Sequence, residues 1–281
     1  MSIATLELAE YLSSLDGLSA YEYLTTLPDE SAHCVVLREC VYTRLYESLR
    51  ILRPGGVCLV FSTTKTLNTT FKNLEEAGFI IRDVIAWVNP SIPASSFGMS
   101  QLIARSQDLE EMEKEAAMKD LEGLRTMRLR TCYTPIVLAQ RPTAKTLVNN
   151  QIENGCGLMN PTRVASGALS ANCMTTDFTG SLYDQAFLLR SAPNSRLIDT
   201  QPDPLYRIMH HLLETFTHPG NVVVDPQAGD GASMCAAISL GRSFMGSEDN
   251  PERRAGALER AARCEAAMLP SADKFPYRII G

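Results

Sequence analysis

The sequence predicts an α/β fold built on a mostly parallel sheet, and three observations carry that expectation. Apolar runs of strand length alternate with amphipathic helical stretches from Ala32 to Val88. The same alternation resumes at Pro204 and continues to a long terminal helical segment. Between the two blocks the texture changes to Pro, Ser, Asn, Gly and dense charge, which reads as material added to the sheet. With 281 residues, 45% of them hydrophobic, the chain can bury a full core as one large domain, or as one domain with a smaller insert.

In order, AHCVVL at 32–37 is a short apolar run suited to a buried strand, and YTRLYESLRIL has helical spacing that Pro54-Gly55-Gly56 should stop. VCLVFS follows as a second strand. TLNTTFKNLEEAGF is an amphipathic helix closed by Gly78, and IIRDVIAWV is a third strand. A Pro/Ser-rich stretch, NPSIPASSFG, and a charged helical stretch, QDLEEMEKEAAMKDLEGLR, fall within an insert at 89–131. PIVLAQ, within 132–141, returns to the sheet, and 142–203 reads as an irregular arm. From 204 to 281 the regular order resumes: helix LYRIMHHLLETF, strand NVVVD, helix ASMCAAISLG, strand SFMGSE, and a last helix with Pro251 in its first turn.

Composition excludes several function classes. A net charge of −6 argues against gripping nucleic acid by bulk charge alone, although Arg125, Arg128 and Arg130 with Arg141 and Lys145 make a local basic region. No apolar run approaches the roughly 20 residues a membrane span needs, and the N-terminus lacks a signal-peptide pattern, so an intracellular, cytoplasmic location is expected. The eight cysteines include no Cys-x-x-Cys pair and read as reduced core residues, and four dispersed histidines make no zinc set; no metal site is expected.

The segment VVVDPQAGDGAS is a strand running through a glycine-containing turn into a helix, the place where a nucleotide-like ligand meets a strand end and a helix N-terminus. Gly229 and Gly231 either let the backbone approach a ligand or serve the turn's conformation alone. About twenty residues later Glu248 ends the next strand, where an acid accepts ribose hydroxyls; its other reading is a charge favouring the last helix.

From Pro202 to Ala261 the sequence resembles the C-terminal block of the permuted, β-type DNA N6-adenine/N4-cytosine methyltransferases, with their Pro-Gly turn, Asp-Pro-Phe-x-Gly-Ser-Gly-Thr turn and Ile-Gly-x-Glu strand. LPDESAHCVVL, LRPGGVCLVFS, LEEAGFIIRDVIAWV, TPIVLAQRP and NGCGLMNPTRV resemble the preceding family segments, so about four-fifths of the chain is covered. The resemblance implies a Rossmann-like fold of the S-adenosylmethionine (SAM)-dependent methyltransferases, in circularly permuted order with a target-recognition insert. It implies a SAM pocket at Asp225, Pro226, Ala228, Gly229, Gly231 and Glu248. Gln227, Asp230, Ala232 and Gln201-Pro202 depart from the family pattern, and Asp230 adds negative charge beside the expected methionine carboxylate.

An amino-methyltransferase must extrude its base, stack it on an aromatic ring and hold the exocyclic amine on acceptors that turn its lone pair to the methyl sulfonium. The family motif for this, Asp/Asn/Ser-Pro-Pro-aromatic, aligns with Arg38, Glu39, Cys40 and Val41, none of which matches. A shifted site would use Glu39 as acceptor and Tyr42 as aromatic; alternatively Arg38 and Glu39 are strand-end charges and Tyr42 packs in the next helix. The reading that follows is a catalytically degenerate homologue that binds DNA, SAM or both, as a non-catalytic partner of an active methyltransferase subunit or as a homodimer. The alternatives are an active DNA methyltransferase with an atypical motif, or a methyltransferase-fold enzyme acting on another substrate such as RNA or a small molecule. Arg125, Arg128 and Arg130 are the phosphate-contact candidates, or else a solvated face balancing the acidic run from Asp108 to Glu122.

Overall fold

The computed structural model of the chain describes residues 18–88, 97–126, 131–162, 168–176 and 203–268. They divide into two compact units, one made of 1–88 with 134–281 and one of 89–133.

The larger unit is built on seven strands: β1 (Ala32–Leu37), β2 (Leu52–Phe61), β3 (Ile80–Val88), β4 (Tyr133–Gln140), β5 (Cys173–Thr175), β6 (Val222–Asp225) and β7 (Ser243–Gly246). They lie in the order β5-β3-β4-β2-β1-β6-β7. β1 runs parallel to β2 and to β6, β6 to β7, and β3 to β5, whereas β4 runs antiparallel to β2. A mostly parallel sheet was the expectation and is what forms, with β4 antiparallel to its neighbour β2. PIVLAQ reads as a buried strand in either direction, because an apolar run does not encode polarity.

Helices cover both faces: α1 (Ala20–Thr26), α2 (Tyr42–Ile51) and α3 (Leu67–Ala77) precede β3; α6 (Leu147–Asn154) lies between β4 and β5; and α7 (Pro204–Phe216), α8 (Ala232–Ser239) and α9 (Pro251–Met268) complete the C-terminal half. Alternate residues of β1 feed two cores, as the two-residue period of a strand requires. Cys34 and Val36 join Met209, Leu212, Met234 and Ala261 on one side, and Val35 and Leu37 join Tyr23, Leu45, Ile51 and Leu74 on the other. The central strands are covered on both faces, which is why they read as continuous apolar runs.

Two local readings are revised. Pro54-Gly55-Gly56 does not separate helix from strand: α2 passes straight into β2 at Leu52, and the triplet forms a bulge inside β2, since Ala32 pairs with Leu52 but Cys34 with Val57. The stretch read as an irregular arm contains α6, capped by the Thr146 hydroxyl and by left-handed Gly155, and the edge strand β5. Only Asn150 of α6 is buried, and β5 has three residues, so neither leaves a periodic signature.

Asn150 fastens α6 to the bulge, its amide donating to the carbonyls of Pro54 and Cys156 at 2.8 Å each. Gly55 has φ +83°, and a methyl group there would lie 2.3 Å from that amide nitrogen. Gly55→Ala is therefore expected to destabilise the larger unit by about 2–3 kcal/mol, through backbone strain and loss of the Asn150 clamp. The urea midpoint followed through Trp87, the single tryptophan, reads this directly.

The smaller unit contains α4 (Met99–Arg105) and α5 (Glu111–Asp120), with a bridge between Gly98 and Arg125. α5 is closed by a reciprocal Glu110–Glu113 capping box and buries no residue. Among the described residues no helix is long and apolar enough to cross a membrane. Cys34, Cys58, Cys156, Cys235 and Cys264 are buried free thiols, whereas Cys132 is exposed and so is not a core residue.

Candidate functional site

The chain runs outward from the centre of the sheet in both directions: β1 leads through α2 to β2 on one side, and β6 through α8 to β7 on the other. At such a switch point the loops leaving the two central strands diverge and open a crevice at their C-terminal ends. A cavity of about 590 Å³ lies there, lined among others by Arg38 and Glu39 after β1, Pro226 to Asp230 after β6, and Glu248 after β7. Its size suits a nucleoside-sized small molecule.

Asp225 ends β6 and is fully buried, so its carboxylate needs partners. The Ser233 hydroxyl donates to Oδ2 at 2.5 Å, the Gln227 N–H donates to Oδ1 at 3.0 Å, and Arg38 Nη2 lies 3.4 Å from Oδ2. Arg38 is also stacked over the Phe61 ring, 4.9 Å from its centroid. The turn continues through Gly229 (φ +59°) and Gly231 (φ +81°). Glu248 braces it: one oxygen accepts the Gly229 N–H at 2.8 Å and the other the Asn250 N–H at 3.1 Å, leaving further lone pairs on both.

The sequence-derived residues separate in space. Pro226, Ala228, Gly229 and Glu248 line the cavity, while Asp225 and Gly231 are not among the residues lining it. A Cβ on Gly231 would meet Met234 at 3.0 Å and Ala257 at 3.1 Å, so the absence of a side chain here lets α8 pack on α9. At Gly229 the nearest atom to such a Cβ is 3.9 Å away. Asp230, which departs from the family pattern, pairs with Arg260 at 3.4 Å.

Of the four residues aligned with the catalytic motif, Arg38 and Glu39 reach the cavity wall. Cys40 is directed toward α3, its sulfur 4.0 Å from the Thr70 carbonyl, and burial raises its thiol pKa. Val41 is the N-cap of α2. Tyr42 packs edge-on against Tyr46 with the two hydroxyls 2.6 Å apart, which pushes its phenol up to about 12; it does not line the cavity. Glu39 and Tyr42 are thus not brought to one site.

Sequence reasoning missed Arg44, Arg253, Leu205, Asp249 and the Ser19-Ala20 start of α1, all of which line the cavity. The Ser19-x-x-Glu22 capping box marks a helix start, but nothing in it points to a cavity at the strand ends. Arg44 Nη1 is buried without a hydrogen bond, 3.8 Å from Glu39, and Gln227 Oε1 is likewise buried and unpaired. Both polar atoms have hydrogen-bonding capacity left. In the basic region, Arg125 is exposed, while Arg128 and Arg130 lie outside the described residues. Arg141 is tied to Glu30 at 2.9 Å and Lys145 pairs with Glu153.

The family model for DNA methylases of the N6/N4 type matches residues 37–259, which span both halves of this site. The chain belongs to the N6/N4 DNA methylase family. Among curated relatives of this family member is the type II methyltransferase M.HindIII of Haemophilus influenzae, 26% identical over 206 residues. That match covers 73% of this chain and 62% of M.HindIII, so the chain spans less than two thirds of that relative's length. Among solved structures, the complex of M1.HpyAVI with SAM superposes with a TM-score of 0.52 at 16% identity, covering 87% of this chain and 96% of that one. The cytosine-N4-specific PvuII DNA methyltransferase gives 0.50 at 13% identity, covering 89% of each. These likenesses show the fold: an α/β methyltransferase fold with a mostly parallel mixed sheet, whose strand order places β1, from the first half of the chain, beside β6, from the second.

Proposed function

We propose that the cavity is a SAM site, and that the chain binds SAM and DNA without transferring methyl groups by itself, serving as a non-catalytic partner of an active methyltransferase subunit. The residues present suit the adenosyl part. Glu248 keeps free acceptor lone pairs for ribose hydroxyls, Gly229 leaves the backbone uncovered, and Leu205 and Ala228 supply apolar wall. When bound, SAM supplies an electrophilic methyl group on a sulfonium sulfur.

The observation that carries the silent reading is Arg38. Where the reaction needs an acceptor for a target amine, this chain presents a guanidinium, which only donates, held by Asp225 and Phe61. The ring beside it, Phe61, is buried and covered by the guanidinium, and Tyr42 pairs with Tyr46, so neither stands open to stack an extruded base. DNA would be held by the insert and the arm, roughly 89–201, with Arg125, Arg128 and Arg130 as phosphate contacts and a cytoplasmic site of action.

Glu39 favours a second reading, an active enzyme with an atypical motif, because its carboxylate lines the cavity and can accept from an amine. Methyl incorporation from labelled SAM into unmethylated duplex DNA separates the two. The purified chain is expected to give background counts while calorimetry detects SAM. Incorporation that Glu39→Ala abolishes would overturn the silent reading and favour the second.

A further inference from the structure

We infer that the face of α5 turned away from the rest of the smaller unit docks a basic amphipathic helix of another protein. The inference goes beyond the methyltransferase reading and holds whether or not the cavity takes SAM.

Residues 97–126 are poor in core. Ile103 is the one buried hydrophobic residue among them, at 5% exposure, while Phe97, Leu102, Met112, Met118 and Leu124 are exposed. α5 buries nothing. A helix of ten residues is marginal in water on propensity alone, and its capping box supports one end only. Helices of this length take most of their stability from an apolar face packed against something. Half-buried Lys114, Ala117 and Leu121 mark the side of α5 that packs within the unit. At about 100° per residue, the opposite side carries Met112, Glu115 and Lys119, with Glu111 and Met118 beside them. Met112 is 81% exposed and Met118 38%, so two open methionines bracket Glu111 and Glu115 on one sector of the helix.

Charge decides what fits there. From Glu110 to Glu122 six acidic residues, all exposed, stand against two lysines, Lys114 and Lys119, a net charge of −4. Lys114 is turned to Glu111 at 2.9 Å and neutralises only that one. A face of this sign repels phosphate, and the phosphate-contact candidates Arg125, Arg128 and Arg130 follow the acidic run in the sequence. It equally repels the same face of a second copy. The complementary surface is an apolar stripe that covers the two methionines, flanked by lysine or arginine opposite the carboxylates. Methionine suits such a contact because its unbranched, polarizable chain adapts to partners of differing shape.

The probe is a fluorescein-labelled helical peptide of leucine and lysine with its leucines at helical spacing, beside a scrambled isomer of equal charge that lacks the stripe. Anisotropy titration with the full chain is expected to give a Kd on the order of 10 µM for the patterned peptide and binding about fivefold weaker for the scrambled one. Met112→Gln with Met118→Gln keeps length and helix propensity and should weaken the patterned peptide on the order of fivefold. Glu115→Gln should weaken it about twofold at low salt, a difference that vanishes near about 0.5 M salt. Ile152→Gln removes an exposed side chain of α6, 78% exposed, and should change nothing. Should the double variant lose helix by circular dichroism, Glu115→Arg reverses one exposed charge and should weaken the patterned peptide more than Glu115→Gln does. Equal affinity for the two peptides, methionine or Glu115 variants that bind as the wild type does, or an equal loss in Ile152→Gln overturns the inference. Self-association of the chain that Met112→Gln abolishes overturns it in favour of a second copy, and duplex DNA binding weakened by the same substitution overturns it in favour of nucleic acid.

Discussion

Replacing Asp225 with alanine is expected to lower the stability of the larger unit by about 3–5 kcal/mol and to abolish binding of adenosyl ligands. The side chain is fully buried and its carboxylate ties three elements together: the Ser233 hydroxyl of α8, the Gln227 N–H of the turn, and Arg38 after β1. Its removal leaves a buried hydroxyl and a turn N–H without an acceptor, at roughly 1–3 kcal/mol each, and frees a guanidinium that only partly reaches water. Asp225→Asn separates geometry from charge. The amide oxygen can still accept from Gln227, but the amide nitrogen faces Arg38 donor to donor, so a smaller loss of about 1–2 kcal/mol is expected. Urea unfolding followed through Trp87, buried in β3, reads both variants. An alanine variant as stable as the wild type would show that the three contacts do not hold the turn.

How much of this arrangement was legible beforehand follows from where each signal resides. The run ending in Asp225, the Gly229 turn and Glu248 were readable because strand, turn and strand-end acid are close in sequence and each residue type is demanded by local geometry. The two central strands were readable for the same reason, since burial on both faces leaves an unbroken apolar run. Arg44 and Arg253 were not readable, because they reach the cavity from helices whose facing is fixed only when the sheet assembles. The Arg38–Asp225 pair joins residues 187 positions apart, and its existence depends on the permuted strand order that sets β6 beside β1. Gly231 was legible as necessary but not for its reason, because the neighbour it accommodates, Ala257, belongs to α9.

Acidification from pH 7.5 to pH 4 is expected to remove most of the stability of the larger unit, and buried histidines are the cause. His33, His210 and His211 are each less than a tenth exposed, and each is held down to about 4, chiefly by burial. Their contacts suit neutral rings. His33 Nδ1 accepts the Val222 N–H at 3.0 Å, and His211 Nε2 lies 2.8 Å from the Ser170 hydroxyl. His210 Nε2 has no hydrogen-bond partner, so protonating it would bury an uncompensated charge beside His211 and Arg242. In the unfolded chain the same rings titrate near 6.5. Between about pH 6.5 and 4 the unfolded state therefore binds protons that the folded state refuses. Stability is complete above 6.5, falls as pH drops through this window, and loses nothing more from these groups below about 4. A depression of about 2.5 pH units corresponds to roughly 3 kcal/mol per ring as an upper figure, and three rings together approach the whole stability of a typical domain. The urea midpoint should therefore slope steeply between pH 6.5 and 4.5. Ordinary carboxylates titrate near 4, so they add little over most of that interval. His33→Asn, whose amide oxygen can take over from Nδ1, and His211→Gln, whose side chain reaches toward Ser170, should each flatten the slope while holding the midpoint at pH 7.5 within a modest loss. A midpoint that does not move between pH 6.5 and 4.5 would mean that these rings protonate freely, by local opening of α7 and of the β1–β6 end, and that their burial contributes nothing to acid sensitivity.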